Sequence, residues 1–308
     1  MRPTVAKTAS RSEFLTIRGL RYHVRHWGDP EAPKIFMLHG WMDMSASFQF
    51  MVDALQGQWH VIAPDWRGFG LTERSQADSY WFPDYLADLD AIIDHYAAAQ
   101  AINLLGHSMG GNVVTLYAGV RPQRIKRLIN LEGLGLPATQ PEQAPGRFAQ
   151  WMDEVRNRPV LRGYATLEEV AQRLQKNNAR LSDERAAFLA QHWAQQDDSG
   201  LWQILGDPAH KQVSPILYRA DEMMACWRRI TAPVLWIEAI DSDIWRFFGP
   251  ASLKREEIDR RIACIPRVQV EMIADAGHML HHDQPERLAQ LIEAFLQQPL
   301  SAGAGGRA

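Results

Sequence analysis

Residues 104–114 read LLGHSMGGNVV, a serine between two glycines at the seam of two patterns. Ala101-Ile-Asn-Leu-Leu105 is a short, mostly apolar run of strand length, and Asn112-Val-Val-Thr-Leu-Tyr-Ala-Gly119 reads as the first turns of a helix. Ser108 therefore stands on the turn between them. A serine hydroxyl is a poor nucleophile near neutral pH and needs a base within hydrogen-bond reach. In G-x-S-x-G, Gly106 and Gly110 let neighbouring backbone approach closely, so that the serine oxygen is lifted clear of the sheet edge. Ligands of parallel α/β sheets bind at that end of the strands, and the start of the next helix, here the amide of Met109, favours developing negative charge.

Working outward, the other apolar runs are Ile35–Leu38, Val61–Ala63, Leu128–Leu131, Val234–Ile237 and Val268–Ile273. Each is short, and most are nearly continuous, as in strands buried on both faces of a parallel sheet. Helical stretches at Phe48–Leu55, Asp84–Ala97 and Gly110–Val120 separate the early ones, an alternation that predicts a parallel α/β sheet. Phe14–Gly28 alternates apolar and polar residues around Gly19 and predicts a β-hairpin, and a final helix starts near Asp283 and Pro285. From about Leu136 to Ile230 the rhythm stops. Three amphipathic stretches, Arg147–Arg156, Leu167–Asn177 and Asp183–Gln195, and a looser tail replace it. The expected organisation is a core of residues 14–135 and 231–297, a helical cap inserted at 136–230, and frayed tails at 1–13 and 298–308. Trp151, Trp193, Trp202 and Trp227 fall in the insertion, where they either pack cap against core or line an apolar cavity.

Two further stretches give Ser108 its context. Leu38-His39-Gly40-Trp41-Met42-Asp43 follows the first buried strand as a tight turn whose backbone amide can aim at the same point as that of Met109. Two such donors make an oxyanion hole, and losing a donor in such a site costs roughly 10² to 10³ in rate. Ala274-Asp-Ala-Gly-His278-Met-Leu280 follows the last strand and puts a histidine on a loop that can reach back over the sheet edge.

His39-Gly40-Trp41, Asp65-Trp-Arg-Gly-Phe-Gly70, Gly106-His-Ser-Met-Gly110 and Gly277-His278 resemble, in order and spacing, the α/β-hydrolase superfamily, over about residues 14 to 297. The match looks closest to the cap-bearing, serine-nucleophile, esterase-like branch of serine hydrolase-like proteins. That resemblance implies an α/β-hydrolase fold, Ser108 as nucleophile, His278 as general base and then acid, and the amides of Trp41 and Met109 as oxyanion donors. Asp65, Arg67 and Gly68 match a stretch that shapes a loop beside the site. The superfamily usually carries its third residue, the acid, in the loop after the strand that follows the cap. Here the expected register falls on Ser242, between Asp241 and Asp243. Asp243 is preferred because Ile244 and Trp245 continue it as in the family; Asp241 and Glu132, at the end of the strand before the cap, are the alternatives. His107 is expected to pack or hydrogen-bond structurally. His281, His282 and Asp283 cluster in sequence without a second ligand group, so no metal site and no cofactor is expected.

Composition bounds the function. The 308-residue chain has a net charge of −3 with acids and bases interspersed, which argues against a nucleic-acid partner. Two cysteines make no disulfide framework, no apolar leader opens the sequence, and no stretch reaches bilayer-spanning length, so a cytoplasmic protein without membrane insertion is expected. The leading expectation is a serine hydrolase that cleaves a carboxylic ester or related acyl bond of a small molecule with an apolar acyl or alcohol group. Hydrolysis of a carbon–carbon bond on the same Ser–His pair, or ligand binding with little turnover, are the alternatives. Haloalkane dehalogenase and epoxide hydrolase chemistry are disfavoured because those relatives carry aspartate where Ser108 stands. The sequence leaves oligomeric state open.

Overall fold

The structure, a computed structural model, describes residues 6–244 and 254–300. The outer parts of the expected tails, and Trp245 of the acid-loop reading, lie outside the described residues. In chain order the main elements are β1 (Ser10–Ile17), β2 (Leu20–Trp27), β3 (Lys34–Leu38), α1 (Gln49–Ala54), β4 (His60–Pro64), α2 (Phe82–Ala97), β5 (Ile102–His107), α3 (Met109–Val120) and β6 (Ile125–Leu131). The segment that follows contains α4 (Ala144–Arg156), α5 (Leu167–Asn177), α6 (Asp183–Trp193), β7 (Ala194–Gln196), β8 (Trp202–Ile204) and α7 (Ala220–Trp227). The chain then returns to the sheet through β9 (Val234–Ala239), α8 (Arg255–Ile262), β10 (Val268–Ile273), α9 (Leu280–Asp283) and α10 (Pro285–Gln297).

Eight strands form one sheet in the order β1-β2-β4-β3-β5-β6-β9-β10. The pairs from β4 to β10 are parallel, whereas β1–β2 and β2–β4 are antiparallel. The β1–β2 hairpin turns at Arg18 and Gly19, both at positive φ, as the alternating pattern around Gly19 predicts. The continuous apolar runs have the expected cause. Phe36 and Leu38 face the core layer shared with α2, α3 and α8, and Ile35 and Met37 face the layer shared with α1 and α10. Both faces are covered, so both sets of side chains are apolar. The fold is the mostly parallel, helix-flanked α/β architecture read from the sequence.

Three local differences have physical reasons. Strand β1 begins at Ser10, inside the stretch expected to fray, because pairing with β2 extends to Trp27 and the amides of Lys7 and Thr8 donate to Asp53 at 3.3 and 2.8 Å. The insertion is not purely helical: β7 and β8 form a small antiparallel ladder, and Tyr164 and Phe69 bridge to Trp202 and Gly206. Helix α8 escaped the sequence reading because its charged run Arg255–Ile262 buries only Ile258, Arg261 and Ile262. Among the described residues no helix is long and apolar enough to cross a membrane.

The β5–α3 turn explains the spacing of its glycines. A Cβ on Gly106 would sit 2.4 Å from the Gly110 carbonyl oxygen, and one on Gly110 would sit 2.2 Å from that of Leu38. Real side chains do not tolerate such contacts, so both positions require glycine. Gly110→Ala is expected to lose about 1–3 kcal/mol of stability in chemical denaturation, the cost of overpacking. Gly146→Ala, in the exposed first turn of α4 with nothing within 4 Å of its added Cβ, should instead gain up to about 1 kcal/mol. Equal stability of Gly110→Ala and the unsubstituted protein would contradict the close-approach account.

Candidate active site

Ser108 occupies φ 53° and ψ −117°, a region costly for any residue with a side chain. Two backbone bonds hold it there. Its amide donates to Leu131 O at 2.8 Å, continuing the β5–β6 ladder past His107, and its carbonyl accepts from Asn112 N at 3.0 Å, opening α3. The hydroxyl is left to donate to His278 Nε2 at 2.9 Å.

His278 comes from the loop between β10 and α9, and is pinned at the backbone. Its carbonyl accepts from His107 Nε2 at 2.8 Å, while the preceding amide of Gly277 donates to Asp283 Oδ2 at 2.8 Å. Burial, reinforced by the nearby His278 ring, pushes the His107 pKa well below its ordinary value, so His107 stays neutral and donates through Nε2. The structural role expected for His107 therefore takes the form of a strut under the His278 loop.

The other nitrogen of His278, Nδ1, lies 3.3 Å from Glu132 Oε2. The structure thus brings the alternative acid Glu132 against the ring, while the preferred Asp243 lies in the wall of the same cavity. Glu132 is the first residue beyond β6, at φ 57°, and is buried. Its Oε1 accepts from the Ala239 amide at 2.7 Å, and its Oε2 accepts from the Ser242 hydroxyl. Ser242 thus stands where the superfamily register expects the acid, and anchors a carboxylate supplied by the neighbouring strand. Sequence reasoning missed this role for Ser242; the signal was the coincidence of a hydroxyl in the acid's register with a glutamate ending the adjacent strand. Burial pushes the Glu132 pKa up to about 7, against the lowering effect of the Ser242 and Ala239 hydrogen bonds, and the charge of Asp243 adds to the rise. Asp243 lines the same cavity, whereas Asp241 is drawn outward into an exposed ion pair with Arg180 at 3.0 Å.

The turn after β3 is set by His39. Its Nδ1 donates to Gly40 O at 2.8 Å and its Nε2 accepts from the Trp66 amide at 2.9 Å, which fixes both the tautomer and the backbone course. A Cβ on Gly40 would lie 3.1 Å from Ser108 Cβ, so this turn passes directly beside the serine. Trp41 and Met109 line the cavity with Ser108, and Met109 is the first residue of α3, where a backbone N–H has no partner inside the helix. The Asp65–Gly70 loop braces the same turn. Asp65 accepts from the Ser45 and Leu71 amides at 2.6 and 2.9 Å and from His23 at 2.7 Å. Burial alone would raise the Asp65 pKa, but the His23 hydrogen bond and charge outweigh it and hold the carboxyl below its ordinary value. Arg67 lies in a fork to Asp88 at 2.5 and 2.7 Å, and the amide of Asp207, in the inserted segment, donates to Gly68 O at 2.8 Å.

Between the sheet edge and the inserted segment lies a cavity of about 1880 Å³. Trp41, Met42, Trp81, Leu134 and Trp193 supply apolar wall, and Arg147, Arg173, Lys211 and Arg219 also reach it. The tryptophans divide between the two expected roles. Trp227 packs on Trp236 of β9 at 5.7 Å between ring centroids, Trp151 donates to Ser79, and Trp193 both lines the cavity and donates to Met42 O at 2.9 Å.

A strand-turn-helix serine at the centre of a parallel sheet, with a loop histidine on its oxygen, defines the class. The alpha/beta hydrolase fold family matches residues 33–285, and the chain belongs to that family, a class of hydrolytic enzymes. Its relatives include serine hydrolase-like proteins. A serine hydrolase-like protein of Danio rerio is 26% identical over 279 residues, covering 88% of this chain and 83% of its own. A 3-hydroxybutyrate-oligomer hydrolase of Cupriavidus necator is likewise 26% identical over 279 residues, covering 88% and 90%. Among solved structures, a thioesterase domain from the curacin biosynthetic pathway superposes with a TM-score of 0.82 at 24% identity, covering 92% of this chain and 99% of that one, which speaks to the fold.

The two carboxylates can be separated by proton NMR. The low-field resonance of the His278 Nδ1 proton is expected in the unsubstituted protein and in Asp243→Asn, and is expected to disappear or move upfield in Glu132→Gln. Loss in Asp243→Asn with retention in Glu132→Gln would restore Asp243 as the partner.

Proposed function

We propose that the protein is a serine hydrolase that cleaves a carboxylic ester or related acyl bond through an acyl-enzyme. The observation that carries this reading is the unbroken hydrogen-bonded line from Ser108 Oγ through His278 to Glu132. Ser108 Oγ attacks the acyl carbon while its proton passes to His278 Nε2, and ionised Glu132 stabilises the imidazolium across Nδ1. The amides of Trp41 and Met109 hold the oxyanion. Collapse of the tetrahedral species breaks the acyl–oxygen bond, and His278 gives its proton to the departing alcohol. Water then attacks the acyl-enzyme with its proton passing to His278, and the second collapse returns that proton to Ser108 and frees the acid. Every group in the cycle comes from this chain.

Helix and sheet together favour this chemistry. The oxyanion forms at the start of α3, where backbone N–H groups favour negative charge. The apolar wall supports a small-molecule substrate with an apolar acyl or alcohol group, as the sequence suggests. The oligomeric hydroxy-acid ester named for the Cupriavidus necator relative is compatible with the arginines and lysine that also reach the cavity, because its free end carries a carboxylate.

With p-nitrophenyl esters of graded acyl length, Ser108→Ala is expected to lose at least about 10³-fold in kcat at unchanged folded fraction, and Glu132→Gln a comparable amount. Retention of near-normal turnover by Ser108→Ala would remove the serine from the mechanism. The pH profile follows from the sign of the Glu132 shift. Burial favours its protonated form up to about pH 7, and a neutral acid cannot support the imidazolium, so kcat should fall as pH drops through that value. Asp243→Asn removes a charge that opposes Glu132 ionisation and should move this acid limb to lower pH. A limb that moves upward, or stays put, would contradict the assignment.

A further inference from the structure

Beside the serine, three buried acceptor atoms converge. Asp43 Oδ2, His107 Nδ1 and His281 Nδ1 come from the turn after β3, the end of β5 and helix α9, and ligand atoms of these three residues lie within 4.8 Å of one another. Each of the three atoms is buried without a hydrogen-bond partner among the described residues. His107 and His281 are themselves almost wholly buried, at 1% and 0% exposure.

The hydrogen bonds on the far sides of the rings decide what these atoms present. His107 Nε2 faces the His278 carbonyl at 2.8 Å and must donate, which leaves Nδ1 a bare lone pair. Ser47 Oγ lies 2.9 Å from His281 Nε2 and 2.8 Å from His282 Nε2. Where the serine oxygen accepts from His281 Nε2, His281 Nδ1 is also a lone pair. In that tautomer, and with Asp43 ionised, three acceptors meet with no donor among them. A water has two protons and leaves one acceptor unmatched; a cation satisfies all three.

We propose that Asp43 Oδ2, His107 Nδ1 and His281 Nδ1 form a buried binding site for a divalent transition metal of the Zn²⁺ type. Two imidazoles and one carboxylate are the donor set such ions take, and each imidazole has its other nitrogen fixed by an oxygen acceptor, as metal-bound histidines do. Ligands about 2.0–2.1 Å from a tetrahedral ion stand roughly 3.3 Å from each other, so binding draws the three atoms inward by on the order of 1 Å. Gly40 leaves room for this: a Cβ there would lie 3.2 Å from His107 Nδ1. The sequence neighbours His281, His282 and Asp283, from which no metal site was expected, do not make up this set. Asp283 accepts from Gly277 N and Asn178, both at 2.8 Å, and the partners of His281 come from the turn after β3 and the end of β5.

Metal-free protein titrated with ZnCl₂ by calorimetry and equilibrium dialysis reads occupancy, not turnover, so the result is independent of the proposed hydrolysis. One equivalent is expected to bind, with X-ray absorption at the zinc edge of the unsubstituted protein showing two imidazole nitrogens and oxygen. His281→Gln and Asp43→Asn should each weaken binding at least tenfold, and His278→Ala should leave it within twofold. No stoichiometric binding would overturn the site. So would a zinc lost in His278→Ala but kept in His281→Gln, which would assign the ion to the Ser108–His278 pair.

Discussion

Ser108 is held in a backbone conformation that costs roughly 1–3 kcal/mol, and much of the surrounding structure serves to keep it there. The strain is local, at φ 53° and ψ −117°, but its supports are spread through the fold. The Leu131 carbonyl fixes the amide, Gly106 and Gly110 allow β5, α3 and the end of β3 to close around the turn, and α3 continues directly from it. A parallel sheet covered on both faces supplies the rigidity. The hydroxyl emerges at the strand ends because the chain cannot place it elsewhere without breaking one of these contacts.

The same edge explains the histidine and its partner. Strands β6 and β9 are neighbours, so the residues just beyond each meet side by side. Glu132 ends one, and Ser242 follows the other. The Glu132 amide donates to Ile237 O at 3.0 Å while its side chain takes hydrogen bonds from Ala239 and Ser242. Glu132, just beyond β6, thus meets the hydroxyl of Ser242, beyond β9, beside the His278 ring. The histidine ring meets an acidic oxygen there because the sheet brings the two loop ends to one place.

This adjacency marks the boundary of what the residues alone disclosed. Strand runs, the hairpin at Gly19, the serine turn and the loop of His278 were legible because each depends on local periodicity or on a short run with a steric requirement, such as the pair Gly106 and Gly110. The partner of His278 depends on which strand lies beside which, and β6 and β9 are separated by the whole inserted segment. Three carboxylates of similar local character competed for the role, and Asp243 was preferred from the residues after it. The contact of Glu132 with His278, and the position of Ser242 facing Glu132 across the strand ends, emerge only in the fold. The convergence of Asp43, His107 and His281 was hidden for the same reason: no two of the three are close in sequence. Helix α8 was missed on composition, since a charged helix with one narrow buried stripe lacks a strong apolar period.

The proposed hydrolysis requires Ser108 to be an activated nucleophile. The most direct measurement is exposure of the folded protein to a fluorophosphonate, followed by intact-mass and peptide mass spectrometry. One equivalent attached at Ser108, lost on unfolding and lost in His278→Ala, is the predicted result. Labelling at another residue, or none by a probe that enters the cavity, would contradict it.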